Sequence, residues 1–130
     1  MKLTGGCLCG AVRYEFEGTP GEAGWCHCRM CQRSSGAPAQ AYVVVPLAGF
    51  RYVAAKPVVY RSSARGERRF CASCGSQIEF RDTATPRAVS LNSGTLDEPA
   101  LVPPDRHIWT SSEVPWFAAA PGLRRFAEDE

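Results

Sequence analysis

Phe70, Cys71, Ala72, Ser73, Cys74 and Gly75, read together as FCASCG, are the stretch on which the fold turns. Two cysteines three positions apart with a glycine behind the second have the form of a metal knuckle. In such a knuckle the chain reverses so that both sulfurs face one ion about 2.3 Å away. Working outward, the N-terminal stretch GGCLCG carries Cys7 and Cys9 with the same trailing glycine. Gly10 and Gly75 are therefore expected to adopt the positive φ that such a turn needs. Four thiolates from Cys7, Cys9, Cys71 and Cys74 fill the tetrahedral shell of zinc and leave no open position, which predicts a structural zinc. That zinc would staple the N-terminal strand to the strand following Phe70. Buried free cysteines or a redox pair form the competing reading.

The chain has 130 residues, which suits one core, so residues 1–126 are expected to form a single domain with an acidic tail over 127–130. Seven cysteines cannot all pair with one another, and a reducing compartment would oppose pairing anyway. No long apolar run follows Lys2, so the N-terminus does not read as an export signal, and the location expected is cytoplasmic. The formal charge is only +2, too even a balance to call for a polyanionic partner, which argues against nucleic acid. No membrane partner is expected either.

The remaining three cysteines lie within six residues, in Trp25, Cys26, His27, Cys28, Arg29, Met30, Cys31. A tight turn can gather Cys26, Cys28 and Cys31 around a second metal, and three protein ligands leave its fourth position open. An open position is the mark of a catalytic rather than a structural zinc. Three thiolates give the complex a net negative charge, so it acidifies water less well than zinc held by neutral histidines. Such a soft centre suits an incoming thiol, kept deprotonated and still nucleophilic. Arg29 and Arg33 flank the cluster and could offset its charge or bind an acidic substrate. Three other readings stay open: His107 closing the shell, a redox pair of Cys28 with Cys31, or metal-free thiols, since a three-ligand site holds zinc less tightly than a closed one. His27, lying between two ligands, is expected to point away from the metal, as a surface or supporting residue.

The rest of the chain reads as β. Val12, Tyr14 and Phe16 alternate with charged residues, the period of a half-buried strand. Short valine- and tyrosine-rich runs over 39–45, 50–53, 58–61, 68–71, 77–81, 88–92 and 106–110 repeat the signal, each bounded by breakers. One helical turn is expected, over 28–33, ended by Ser34, Ser35 and Gly36.

The ordered pattern GGCLCGAVRYE, CHCRMCQRSSG, FCASCGSQIEF, GTLDEP and HIW, with Trp116 beyond, resembles the glutathione-dependent formaldehyde-activating family, also known as the centromere protein V type domain. The resemblance runs from about Gly5 to about Phe117. It implies a mainly β, Mss4-like fold of antiparallel sheets around zinc. It also implies a structural zinc on Cys7, Cys9, Cys71 and Cys74, and a catalytic zinc on Cys26, Cys28 and Cys31. The implied activity is that of a carbon-sulfur lyase joining glutathione to formaldehyde as S-hydroxymethylglutathione. Arg61, Arg65, Arg68 and Arg69 are candidate carboxylate anchors on charge alone, though polar faces of a β domain would account for them equally. A non-catalytic zinc interaction module and a thiol oxidoreductase using Cys26, Cys28 and Cys31 are the alternatives. The physiological thiol, the electrophile and the oligomeric state are not written in the sequence.

Overall fold

The computed structural model describes residues 1–118 and 122–128. Ten short strands and one helix follow in order: β1 (Lys2–Gly6), β2 (Arg13–Glu17), β3 (Ala23–Cys26), α1 (Arg29–Ser35), β4 (Gln40–Pro46), β5 (Phe50–Tyr52), β6 (Val58–Arg61), β7 (Gly66–Phe70), β8 (Gln77–Asp82), β9 (Ala88–Asn92) and β10 (His107–Ile108). The protein is mainly β, as its alternating runs and frequent breakers predict.

The strands form two sheets. β1, β2 and β5 make a three-stranded sheet, and the order β10-β3-β4-β9-β8-β7-β6 makes a seven-stranded one. All pairings are antiparallel except that of β10 with β3. The alternation in β2 does what its period requires: Tyr14 and Phe16 are wholly buried while Arg13, Glu15 and Glu17 face outward. These two rings, with Leu3, Val12 and Phe50, pack against Val43, Val45, Ile78, Val89 and Leu91 of the larger sheet. Burying an aliphatic or aromatic side chain of this kind is worth roughly 1.5–3 kcal/mol, so the interface between the sheets is the main apolar contribution to stability.

Gly5 sits where β1 meets the end of the 3-10 turn that follows β9. It bridges to Leu96, and a β-carbon there would collide with the Tyr14 hydroxyl and the Thr95 carbonyl. The Tyr14 hydroxyl is 2.8 Å from Thr95 Oγ1, so this buried ring keeps a polar partner. Arg13 binds Asp97 through both guanidinium nitrogens, at 2.9 and 2.5 Å, and ties the same two regions at the surface.

Three parts of the fold depart from the expected strands. β1 and β3 go beyond them, because Lys2–Gly6 has Leu3 as its one large buried side chain and Ala23–Cys26 is only four residues long. The run expected over 106–110 shrinks to β10, since Trp109 takes a left-handed φ of 58° and opens a 3-10 turn over Thr110–Ser112. The helical turn expected over 28–33 is α1, shifted to Arg29–Ser35 and closed by Gly36 at φ 72°. Of the tail expected over 127–130, the last two residues lie outside the described ones.

Candidate metal centre

Cys7 and Cys9 occupy the turn between β1 and β2, and Cys71 and Cys74 the turn between β7 and β8. The two turns are built alike. Gly10 N–H donates to Cys7 O and Gly75 N–H donates to Cys71 O, at 3.2 and 2.9 Å. Gly10 and Gly75 have φ of 83° and 76°, the left-handed values their sequence position predicts. The four sulfurs lie within 4.8 Å of one another. Cys9 Sγ stands 3.6 Å from Cys7 Sγ and 3.8 Å from Cys71 Sγ, against about 3.8 Å for two sulfurs on a tetrahedral zinc. The donor set fits zinc in number, chemistry and spacing.

The surroundings favour thiolate. Val12 N–H reaches Cys7 Sγ at 3.2 Å, and the Ser73 and Cys74 amides reach Cys71 Sγ at 3.4 and 3.5 Å. Ser76 joins the two turns: its hydroxyl accepts from Leu8 N–H at 3.0 Å and sits 3.2 Å from Cys74 Sγ. That hydroxyl, with the Ser76 amide, brings the Cys74 thiol down to about 5. Burial opposes ionisation of Cys7, but the Val12 amide and neighbouring thiols still lower it. At Cys9 the Ala11 amide favours the thiolate, yet Cys7 and Cys74 outweigh it and push the thiol up to about 11. Four sulfurs so close cannot all ionise unaided, and a cation is what would let them do so.

The second cluster is set by a strand ending where a helix begins. Cys26 closes β3, Cys28 caps α1 by accepting Cys31 N–H at 3.2 Å, and Cys31 lies in the first turn of that helix. Their sulfurs also lie within 4.8 Å of one another. Cys31 is drawn down to about 5, first by Cys26, against burial, and then by Cys28 and Arg68, while Cys26 is pushed up by Cys31 and by burial. Arg68 is 7% exposed; its Nη2 stands 3.8 Å from Cys31 Sγ and its guanidinium lies over the Phe80 ring at 5.0 Å. A pocket of about 340 Å³ opens beside this cluster, lined by Met30, Arg33, Ser34, Tyr60, Arg68 and Phe70 among others.

The family model described as glutathione-dependent formaldehyde-activating enzyme matches residues 2–112. The chain belongs to that family. A Halomonas elongata protein that carries a provisional assignment as a glutathione-dependent formaldehyde-activating enzyme is 28% identical over 125 residues, covering 89% of this chain and 80% of the relative. The crystal structure of a Rhodobacter sphaeroides protein superposes with a TM-score of 0.62 at 25% identity, covering 72% of this chain and 87% of that one. No helix among the described residues is long and apolar enough to cross a membrane.

Within this member of the glutathione-dependent formaldehyde-activating family, both expected cysteine groups come together in space. The candidate arginines divide. Arg68 and Arg33 reach the pocket, whereas Arg61 donates to Ala64 O and Arg65 pairs with Asp82. Arg69 pairs with Glu67 and Glu79. Arg29 donates to Gln32 Oε1, and Ser34 and Ser35 donate to Cys31 O, so those serines form a turn at the end of the helix. His107 does not group with the cysteine trio; it lies against His27. His27 is fully buried, which removes the surface option for it. Gln32 and Ser76 are organising residues the sequence reading passed over. Gln32 Nε2 donates to His27 O and Ser112 O, and nothing but the polar residue inside CRMCQ could have signalled it.

Proposed function

We propose that the protein is a zinc-dependent carbon-sulfur lyase that adds the thiol of glutathione to formaldehyde, giving S-hydroxymethylglutathione. Cys7, Cys9, Cys71 and Cys74 hold a structural zinc, and Cys26, Cys28 and Cys31 hold a second zinc with one position free, within a cytoplasmic, Mss4-like single domain over residues 1–126. When bound at the trio, zinc supplies a soft Lewis acid suited to a thiol sulfur. In the reaction a carbon-sulfur bond forms, the carbonyl double bond becomes a single bond, and the thiol proton ends on the new hydroxyl, so no atom is lost.

The observation that supports this reading best is Arg68, which touches both the trio and the pocket. Held in place by Phe80, its buried guanidinium balances thiolate charge at Cys31 and, with Arg33, offers two cations to a tripeptide that carries carboxylates. Met30, Tyr60 and Phe70 add apolar wall to the pocket.

Cobalt-substituted protein tests the proposal, because sulfur-to-cobalt absorption counts cobalt-sulfur bonds. Intensity should correspond to seven protein sulfurs, rise when glutathione is added, and fall to that of four in Cys28→Ser. The exchange rate between formaldehyde and its glutathione adduct, followed by nuclear magnetic resonance, should fall to the uncatalysed value in the same variant. An unchanged spectrum on adding glutathione would leave an interaction module. A reversible disulfide among Cys26, Cys28 and Cys31 with no rate enhancement would mark an oxidoreductase instead.

A further inference from the structure

The chain contains two histidines, and both lie in one place beside a glutamate. The sheet puts them there. β10 runs parallel to β3 with His107 beside Trp25 and Ile108 beside Cys26, and His27 N–H donates to Ile108 O at 3.0 Å. Phe117 packs edge-on against His27, His107 and Trp25, so these three rings share one face of the strand pair. Glu113 follows the 3-10 turn Thr110–Ser112, whose Ser112 carbonyl is gripped by Gln32.

His27 Nε2 lies 2.9 Å from His107 Nδ1 and 3.5 Å from Glu113 Oε1, and the three donor atoms fall within 4.8 Å of one another. Donors about 2.05 Å from a shared ion would subtend about 90° and about 117° at those first two separations, inside the range of four- to six-coordinate metals. His107 and Glu113 are exposed, so an ion has access and water can complete its shell, while the buried His27 anchors the floor.

We propose that His27, His107 and Glu113 form a divalent transition-metal site of their own, a two-histidine, one-carboxylate set distinct from both cysteine clusters. Nitrogen and oxygen donors make it harder than the thiolate sites and suit zinc, cobalt, nickel or ferrous iron. Without an ion, one imidazole N–H spans the 2.9 Å gap as a hydrogen bond. With an ion there, the His27 proton moves to Nδ1, which is buried and has no partner among the described residues. Leaving that group unpaired costs about tenfold to a hundredfold in affinity, which makes this a weaker site than one with a satisfied outer nitrogen. An ion there would clip the segment carrying Glu113 onto β3 and β10.

Untagged, zinc-loaded protein dialysed against free zinc in the tens of micromolar, then counted by elemental analysis, tests this. Wild type should hold one ion more per chain than His107→Gln or Glu113→Gln, both substitutions of exposed side chains. In the same variants the sulfur-to-cobalt absorption should stay unchanged, which separates this site from the proposed lyase centre. Zinc should also shift the imidazole nitrogen resonances of wild type. Equal metal counts in all three proteins, or imidazole resonances that do not move up to millimolar zinc, would overturn the site and leave a hydrogen-bonded histidine pair.

Discussion

Arg68 shows how far a single residue can be read. Its charge made it a candidate anchor, yet four arginines in the region shared that charge, and what distinguishes it is burial against Phe80 and Cys31. A one-dimensional pattern carries no such contact, because β7 pairs with β8 while α1 arrives from elsewhere in the chain. Arg68→Met keeps much of the volume and removes the charge. We expect its KM for glutathione to rise by at least about tenfold in the exchange assay while the melting temperature changes little, since under the proposed function the guanidinium serves thiolate and carboxylate rather than the core. Glu79 was invisible to sequence reading for a related reason. It alternates as a polar residue in β8 but is 1% exposed; it accepts from Tyr52 Oη and Arg81, and Arg69 Nη1 stands 3.8 Å away as a further ion-pair partner. Glu79→Gln should destabilise the protein by about 3–5 kcal/mol in urea unfolding, because it leaves Arg69 and Arg81 half-buried without their shared counter-charge.

At the scale of elements, the knuckles were legible because their chemistry is local: paired cysteines, a fixed spacing, and a glycine where φ turns positive. Gly75→Ala tests that reading. At φ 76° with open space around the missing β-carbon, the penalty is backbone strain alone, about 1 kcal/mol in stability, and the metal count should not change. β1 and β3 were not legible, since each owes its existence to a neighbouring strand more than to its own period. The Arg13–Asp97 tie was equally hidden, with partners 84 positions apart. Arg13, then the Thr4 hydroxyl, hold the Asp97 carboxyl down at about 2, below its ordinary 3.8. A carboxyl lowered by folding stabilises fully above its unfolded value and loses that contribution as pH falls through the folded one. Asp97→Asn should therefore cost at most about 1 kcal/mol near neutrality, as befits an exposed pair, with the difference from wild type closing between pH 3.8 and about 2.

On the scale of the whole molecule, the quartet joins a turn of the small sheet to a turn of the large one, whereas the trio sits within the large sheet and α1. Removing metal should therefore have two separable effects. A chelator titration followed by absorbance and circular dichroism should strip the trio first with the fold intact, then unfold the chain as the quartet empties, and Cys74→Ser should lower the melting temperature far more than Cys28→Ser. The split of the quartet also reaches into biosynthesis. Cys9 and Cys71 are 62 positions apart, so at about 5–20 residues per second a ribosome needs about 3–12 s to supply the second half of the clasp. During that interval the nascent N-terminus carries two thiols whose partners in the quartet have yet to be made, so this half of the clasp waits on the other.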